Sequence, residues 1–223
     1  MKSLVLSIAM LPAVGVSAMD SYNCRNGLFP AHEGDFTLAR VASTAKKTHF
    51  RADTDGCPQA SRCIEKTYLV PGDEVLVAQQ EDGWACAWYF GKKREFVGYL
   101  PQRELQAVET PLPKREDWIG RWKPIAGDNV IEIRAGEKNL LRITGDATWI
   151  GAKNAAGEPN VHVGQFEATG VAKGRYLQVR ESADDYACRV DMQLVAGRLV
   201  VHDNGFCGGE NVRFDNVYRK AGS

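Results

Sequence analysis

The sequence has no net charge. Its 28 lysines and arginines are matched by 28 aspartates and glutamates, and no lysine-rich cluster is interleaved with aromatics. Binding to nucleic acid or to an anionic membrane through bulk charge is therefore not expected. Long apolar runs are equally scarce: after residue 18 nothing approaches the ~20 apolar residues of a membrane-spanning helix. Histidine is rare, with four in 223 residues. No histidines and cysteines stand at the short spacings of a zinc site, so neither metal nor cofactor is expected. The first half also lacks any helical period.

What is present begins with a leader. Lys2 precedes an apolar stretch from Leu4 to about Val16, and Val16 and Ala18 occupy the small-residue positions of a cleavage site. The pattern predicts a secretory signal peptide over residues 1–18, with Met19 the first mature residue. Cys24 comes too late to anchor a lipid, so a periplasmic or secreted protein with no integral membrane segment is expected. The six cysteines, Cys24, Cys57, Cys63, Cys86, Cys188 and Cys207, all follow the leader. In an oxidising compartment their even count favours three disulfides.

Strand signals dominate the remainder, which predicts an all-β chain of two parts. The segment LQAVETPLPKREDW carries Pro111, Pro113 and alternating charges. It reads as a linker over residues 107–116, between a domain at 19–106 and another at 117–223. In the first, short runs are broken by turns at Pro71–Asp73 and Asp82–Gly83, the pattern of a small antiparallel barrel. In the second, about eight runs alternate between turns at Gly127–Asp128, Gly136–Glu137 and Gly145–Asp146, enough for an antiparallel up-and-down barrel or a sandwich.

Cys207 lies in VVHDNGFCGGENVRF and has three readings: nucleophile, metal ligand or half-cystine. With Gly197–Arg198 as a two-residue turn, Leu194 faces Val201 and Cys188 faces Cys207. Directly opposed residues sit about 4.5–5.5 Å apart at Cα, within disulfide reach. A nucleophile needs a free thiolate and a nearby base. His202 in a continuous strand would be about 16 Å away on the other face, and His32, His49 and His162 are remote in sequence. A Cys188–Cys207 cystine is expected, with no catalytic residues. Cys57–Cys63 closes a short loop and is favoured in the first half, which leaves Cys24–Cys86.

Trp84, Trp88, Tyr89, Phe90, Phe96 and Tyr99 cluster in the first half. About half should be core; Trp84, Trp88, Tyr89 and Tyr99 are the candidate partner-binding aromatics. Asp184–Asp185 and Glu81–Asp82 adjoin turns and read as solvated turn residues. Trp149 and His162 flank what reads as a long polar loop at the barrel mouth. GKKRE at Gly91–Glu95 reads as an exposed hairpin tip.

HFRADTDG at His49–Gly56 and VPGDEVLVAQQEDGWACAWYFGKKREFVGYLPQREL at Val70–Leu105 resemble a bacterial Src-homology-3 (SH3-like) domain, over about residues 36–105. The insertion between Cys57 and Cys63 departs from that family. WIGRW at Trp118–Trp122 resembles the opening of lipocalin-like barrels, and the C-terminal pattern resembles small exported proteobacterial proteins. The resemblance implies peptidoglycan or protein partners. The expected function is a non-catalytic exported envelope binding protein. A periplasmic inhibitor or immunity protein against a secreted hydrolase or toxin is the alternative, and a small-molecule-binding barrel a further one.

Overall fold

A computed structural model of the chain describes residues 24–31, 34–91, 95–124 and 127–222. The expected signal peptide, Met19, His32 and the tip Lys92–Arg94 lie outside the described residues. The chain is all-β, in two antiparallel sheets.

The first sheet holds β1 (Thr37–Val41), β2 (Thr48–Arg51), β3 (Ile64–Leu69), β4 (Glu74–Glu81), β5 (Trp84–Phe90), β6 (Glu95–Pro101) and β7 (Leu105–Val108), in the order β3-β2-β6-β5-β4-β1-β7. Turn chemistry sets the hairpins. Asp82 and Gly83 both take positive φ, 49° and 81°, the geometry that matches strand twist in a two-residue turn. A 3-10 turn at Gln102–Glu104 leads into β7. Alternation then sorts the faces. Ala85, Ala87, Val75, Val77, Phe50, Leu69 and Leu100 form the core inside the sheet.

The second sheet holds β8 (Gly120–Pro124), β9 (Val130–Ala135), β10 (Leu141–Lys153), β11 (Pro159–Gly170), β12 (Tyr176–Arg180), β13 (Arg189–Val195), β14 (Arg198–Asp203) and β15 (Asn216–Lys220). Each strand pairs with its neighbour in sequence except across the seam between β11 and β12, and β15 returns to β8. The result is a nearly closed up-and-down barrel of eight strands. Trp118, Trp122, Ile131, Ile133, Phe166, Phe214 and Tyr218 help fill it. The Trp122 indole donates to the Trp118 carbonyl at 2.9 Å and the Tyr218 hydroxyl to the Phe214 carbonyl at 2.9 Å.

Three expectations change. Gly145–Asp146 is not a turn but the middle of β10. A Cβ at Gly145 would sit 2.1 Å from the Phe166 ring and 2.8 Å from that of Phe214, whose rings meet edge-on. The glycine therefore makes room for that pair and does not reverse the chain. The supposed polar loop around Trp149 and His162 is a long hairpin whose tip is only Asn154–Glu158. Trp149 and His162 are cross-strand partners in it. The linker is shorter than residues 107–116, because Ala107 and Val108 pair with β1, and a helical turn, α1, begins at Arg115.

The two sheets are packed together. Val195, Val200 and Val217 point out of the barrel and meet Phe36, Leu76 and Ala78 of the first lobe, with Phe29, Trp88 and Phe90 alongside. The Gln193 side chain accepts from the Phe36 N–H and donates to the Phe36 carbonyl, both at 2.9 Å. The Arg198 guanidinium lies 4.8 Å over the Phe90 ring.

Candidate functional site

All six cysteines are paired, as Cys24–Cys86, Cys57–Cys63 and Cys188–Cys207. The third is the pair expected from the sequence, but by a different route. The β13–β14 turn is Ala196–Gly197, both at positive φ, so Leu194 faces Leu199 and Met192 faces Val201. That register is two residues from the expected one. It would place Cys188 opposite Gly205 if the strand continued. Instead the chain bends after Asn204. Asp203 accepts from the Gly205 N–H and Asn204 from the Phe206 N–H, and Gly205 takes φ 82°. The bend returns Cys207 to a Cα distance of 4.5 Å from Cys188.

The polar groups around this bend are committed to holding it. The Asp203 carboxylate, buried in the barrel end, also accepts from the Phe214 N–H, and burial raises its proton affinity. The His202 ring meets Asp215 at 3.0 Å, and that hydrogen bond raises the imidazole pKa. With the sulfur of Cys207 in a cystine, this constellation contains no thiolate. Among the described residues, no three His, Cys, Asp or Glu side chains gather as a metal site.

The four candidate aromatics do not share one surface. Tyr89 faces the first-lobe core, while Trp84, Trp88 and Tyr99 lie on the opposite face, as alternation demands. Trp88 is half-buried and engaged within the lobe: Phe29 packs edge-on to it at 5.2 Å, Phe90 stacks at 5.1 Å, and its indole donates to Glu95. The Cys24–Cys86 bridge and the Asn26 side chain, which accepts from the Val97 N–H, tie the N-terminal segment over this part of the sheet.

Trp84 and Tyr99 remain half-exposed and join residues that sequence reasoning did not single out. Arg51 is the cross-strand partner of Tyr99, and its guanidinium stands 5.2 Å over Trp84. Two residues back on β2, His49 meets Tyr68 at 5.4 Å, and the Lys47 ammonium lies 4.1 Å over the Tyr68 ring. The outward face of β3-β2-β6-β5 therefore carries a strip of alternating cations and aromatic faces. Such a strip can hold an extended ligand by stacking and by pairing with its carboxylates. The T-H-F-R alternation of β2 held the signal for His49 and Arg51; the pairing of β2 with β6 did not show in sequence.

Two further concave surfaces lie among the described residues. A cleft of about 440 Å³ at the lobe junction is lined by Asp35, Thr110, Arg175, Tyr176 and Gln193. Its polar groups are mutually bonded: Tyr176 donates to Asp35 at 2.8 Å and Arg175 to Thr110 at 3.0 Å. A trough of about 580 Å³ on the outside of β9–β11 is lined by charges that pair with one another, including Arg142 with Glu167 at 2.6 Å and Arg134 with Glu132 at 2.9 Å.

Comparisons with protein-family models, curated proteins and solved structures found no match to this chain.

Proposed function

We propose that the chain is a non-catalytic binding protein of the bacterial envelope, exported to the periplasm, that recognises a peptidoglycan or protein partner. The observation that carries this reading is the strip of Lys47, Tyr68, His49, Arg51, Tyr99 and Trp84. It offers π faces and fixed cations on a rigid sheet, which suits recognition of an extended chain. Within this proposal the first lobe is Src-homology-3-like: β1, β4, β5 and β6 are consecutive neighbours, and a 3-10 turn precedes a last strand that returns to β1. The second lobe is lipocalin-like in its up-and-down order. Three cystines support an oxidising compartment, and no helix among the described residues is long and apolar enough to cross a membrane.

Sedimentation with purified sacculi, set beside pull-down from envelope extract, tests the proposal and sorts the two partner classes. Trp84→Ala combined with Tyr68→Ala should abolish sedimentation with sacculi or, where the partner is a protein, remove from the extract pull-down a protein that Tyr186→Ala leaves in place. Capture unchanged by that double variant would exclude the strip.

A second reading, an inhibitor or immunity protein, is favoured by the cystine-clamped loops at the barrel end. Rigid loops lose little entropy on binding. The small-molecule barrel is supported less, because large side chains occupy the interior.

A further inference from the structure

One end of the barrel carries two aromatic side chains that the protein itself does not cover. Tyr186 is 75% exposed and Phe206 50%. They come from different loops, between β12 and β13 and between β14 and β15, yet their rings meet edge-on at 5.4 Å. Exposed aromatic rings cost free energy in water, so a paired, solvent-facing arrangement calls for an explanation.

The pair is held in place from below. The Cys188–Cys207 bridge joins the two loops one residue past Phe206 and two past Tyr186. Asn204 donates to the Ala187 carbonyl at 2.9 Å and accepts from the Arg189 N–H. Asp184 accepts from the Tyr186 N–H at 2.8 Å. The backbone beneath both rings is thus fixed before any partner arrives, which lowers the cost of binding. Large aromatics on a rigid base are the side chains that dominate protein–protein binding energy.

The rim is acidic. Glu181, Asp184, Asp185 and Glu210 lie in these loops, and the Asp185 side chain is 99% exposed. Arg180 offsets one of these charges, at 3.8 Å from Asp185. The other two nearby arginines are already matched, Arg189 by Asp191 at 3.5 Å and Arg213 by the buried Asp203 at 3.7 Å. A negative rim disfavours an anionic lipid surface or a nucleic acid and attracts a cationic one.

We infer that this barrel end is a second docking surface, separate from the first-lobe strip, for a cationic protein that receives the Tyr186–Phe206 pair in an apolar notch. The aromatic pair holds the partner; the acids steer its approach.

The test uses the full chain in the cells that make it. Photoreactive benzoylphenylalanine replaces Tyr186, Phe206 or, as a control on another surface, Leu112. The expected result is one basic protein crosslinked from 186 and from 206 but not from 112. With that protein purified, Tyr186→Ala and Phe206→Ala should each speed dissociation at least tenfold without lowering the melting temperature. Asp184→Asn with Asp185→Asn should instead slow association, as should raising salt from about 50 to about 500 mM. Sacculus capture through the first-lobe strip should be untouched by all four changes, so failure here and failure there are distinguishable. No crosslink above the control, different partners at the two positions, or an acidic partner would overturn the inference.

Discussion

Replacing each cystine by a pair of alanines should destabilise the protein in a definite order. The bridges close sequence separations of 62 for Cys24–Cys86, 19 for Cys188–Cys207 and 6 for Cys57–Cys63. Each restrains the unfolded chain in proportion to the logarithm of its loop, giving about 4, 3 and 2 kcal/mol respectively. For a chain of this size, about 2–4 °C of melting temperature accompanies each kcal/mol. Cys188→Ala with Cys207→Ala should therefore lower the midpoint by about 6–12 °C. Urea denaturation of the three double variants, beside the parent, measures the order directly. Any loss of sacculus capture through the first-lobe strip in the Cys188/Cys207 variant should follow unfolding, because these sulfurs restrain the barrel chain and do no chemistry. A loss below about 1 kcal/mol for that pair, or a larger loss at Cys57/Cys63 than at Cys24/Cys86, would refute the reasoning. So would a hydrolytic activity that disappears with Cys207→Ser while the protein stays folded.

Three further outcomes are expected. Gln193→Ala leaves the Phe36 N–H and carbonyl without their partner at the lobe interface; it should cost about 2–4 kcal/mol and hasten proteolysis in the connector at 109–114. Gly145→Ala drives a methyl into the Phe166 and Phe214 rings and should cost about 1–3 kcal/mol by overpacking, seen as a lower urea midpoint with an unchanged slope. Stability should fall as pH rises through neutrality, because the folded His202 pKa is raised by its hydrogen bond to Asp215: the contribution is complete below the ordinary imidazole value of about 6.5 and is lost as pH passes the folded one. Asp203, with its pKa raised by burial, acts in the same direction at lower pH. Asp215→Asn should flatten the neutral slope, and NMR titration of His202 checks its direction.

Much of the architecture was legible because period-2 alternation survives wherever one strand face is wet. Most strands of the barrel and the Asp82–Gly83 hairpin follow from it; β10 is the exception, since the Gly145–Asp146 pair inside it reads as a turn. It fails where both faces are buried. In β13 and β14 the outward Val195 and Val200 are covered by the first lobe, so the apolar run is continuous and its register drifts by two. The bend at Asn204–Phe206 then restored the cystine that the wrong register had proposed. Parity alone was enough to separate Tyr89 from Trp88, since neighbours on a strand cannot share a face. The packing of Phe29 on Trp88 was not legible, because Phe29 reaches it only through the N-terminal segment held by Cys24–Cys86. Tyr186 and Phe206 are 20 residues apart in sequence and meet only because two loops are bridged beneath them.

The central claim is binding without turnover through the outward face of the first lobe. Its most direct measurement is partner capture, on sacculi and from envelope extract, by the parent and by the Trp84→Ala, Tyr68→Ala variant, with melting temperatures taken in parallel. Capture through the strip should fall at least tenfold with the melting temperature within about 2 °C of the parent, since half-exposed rings contribute contact area to a partner and little to the core. Undiminished capture in a folded variant would contradict it.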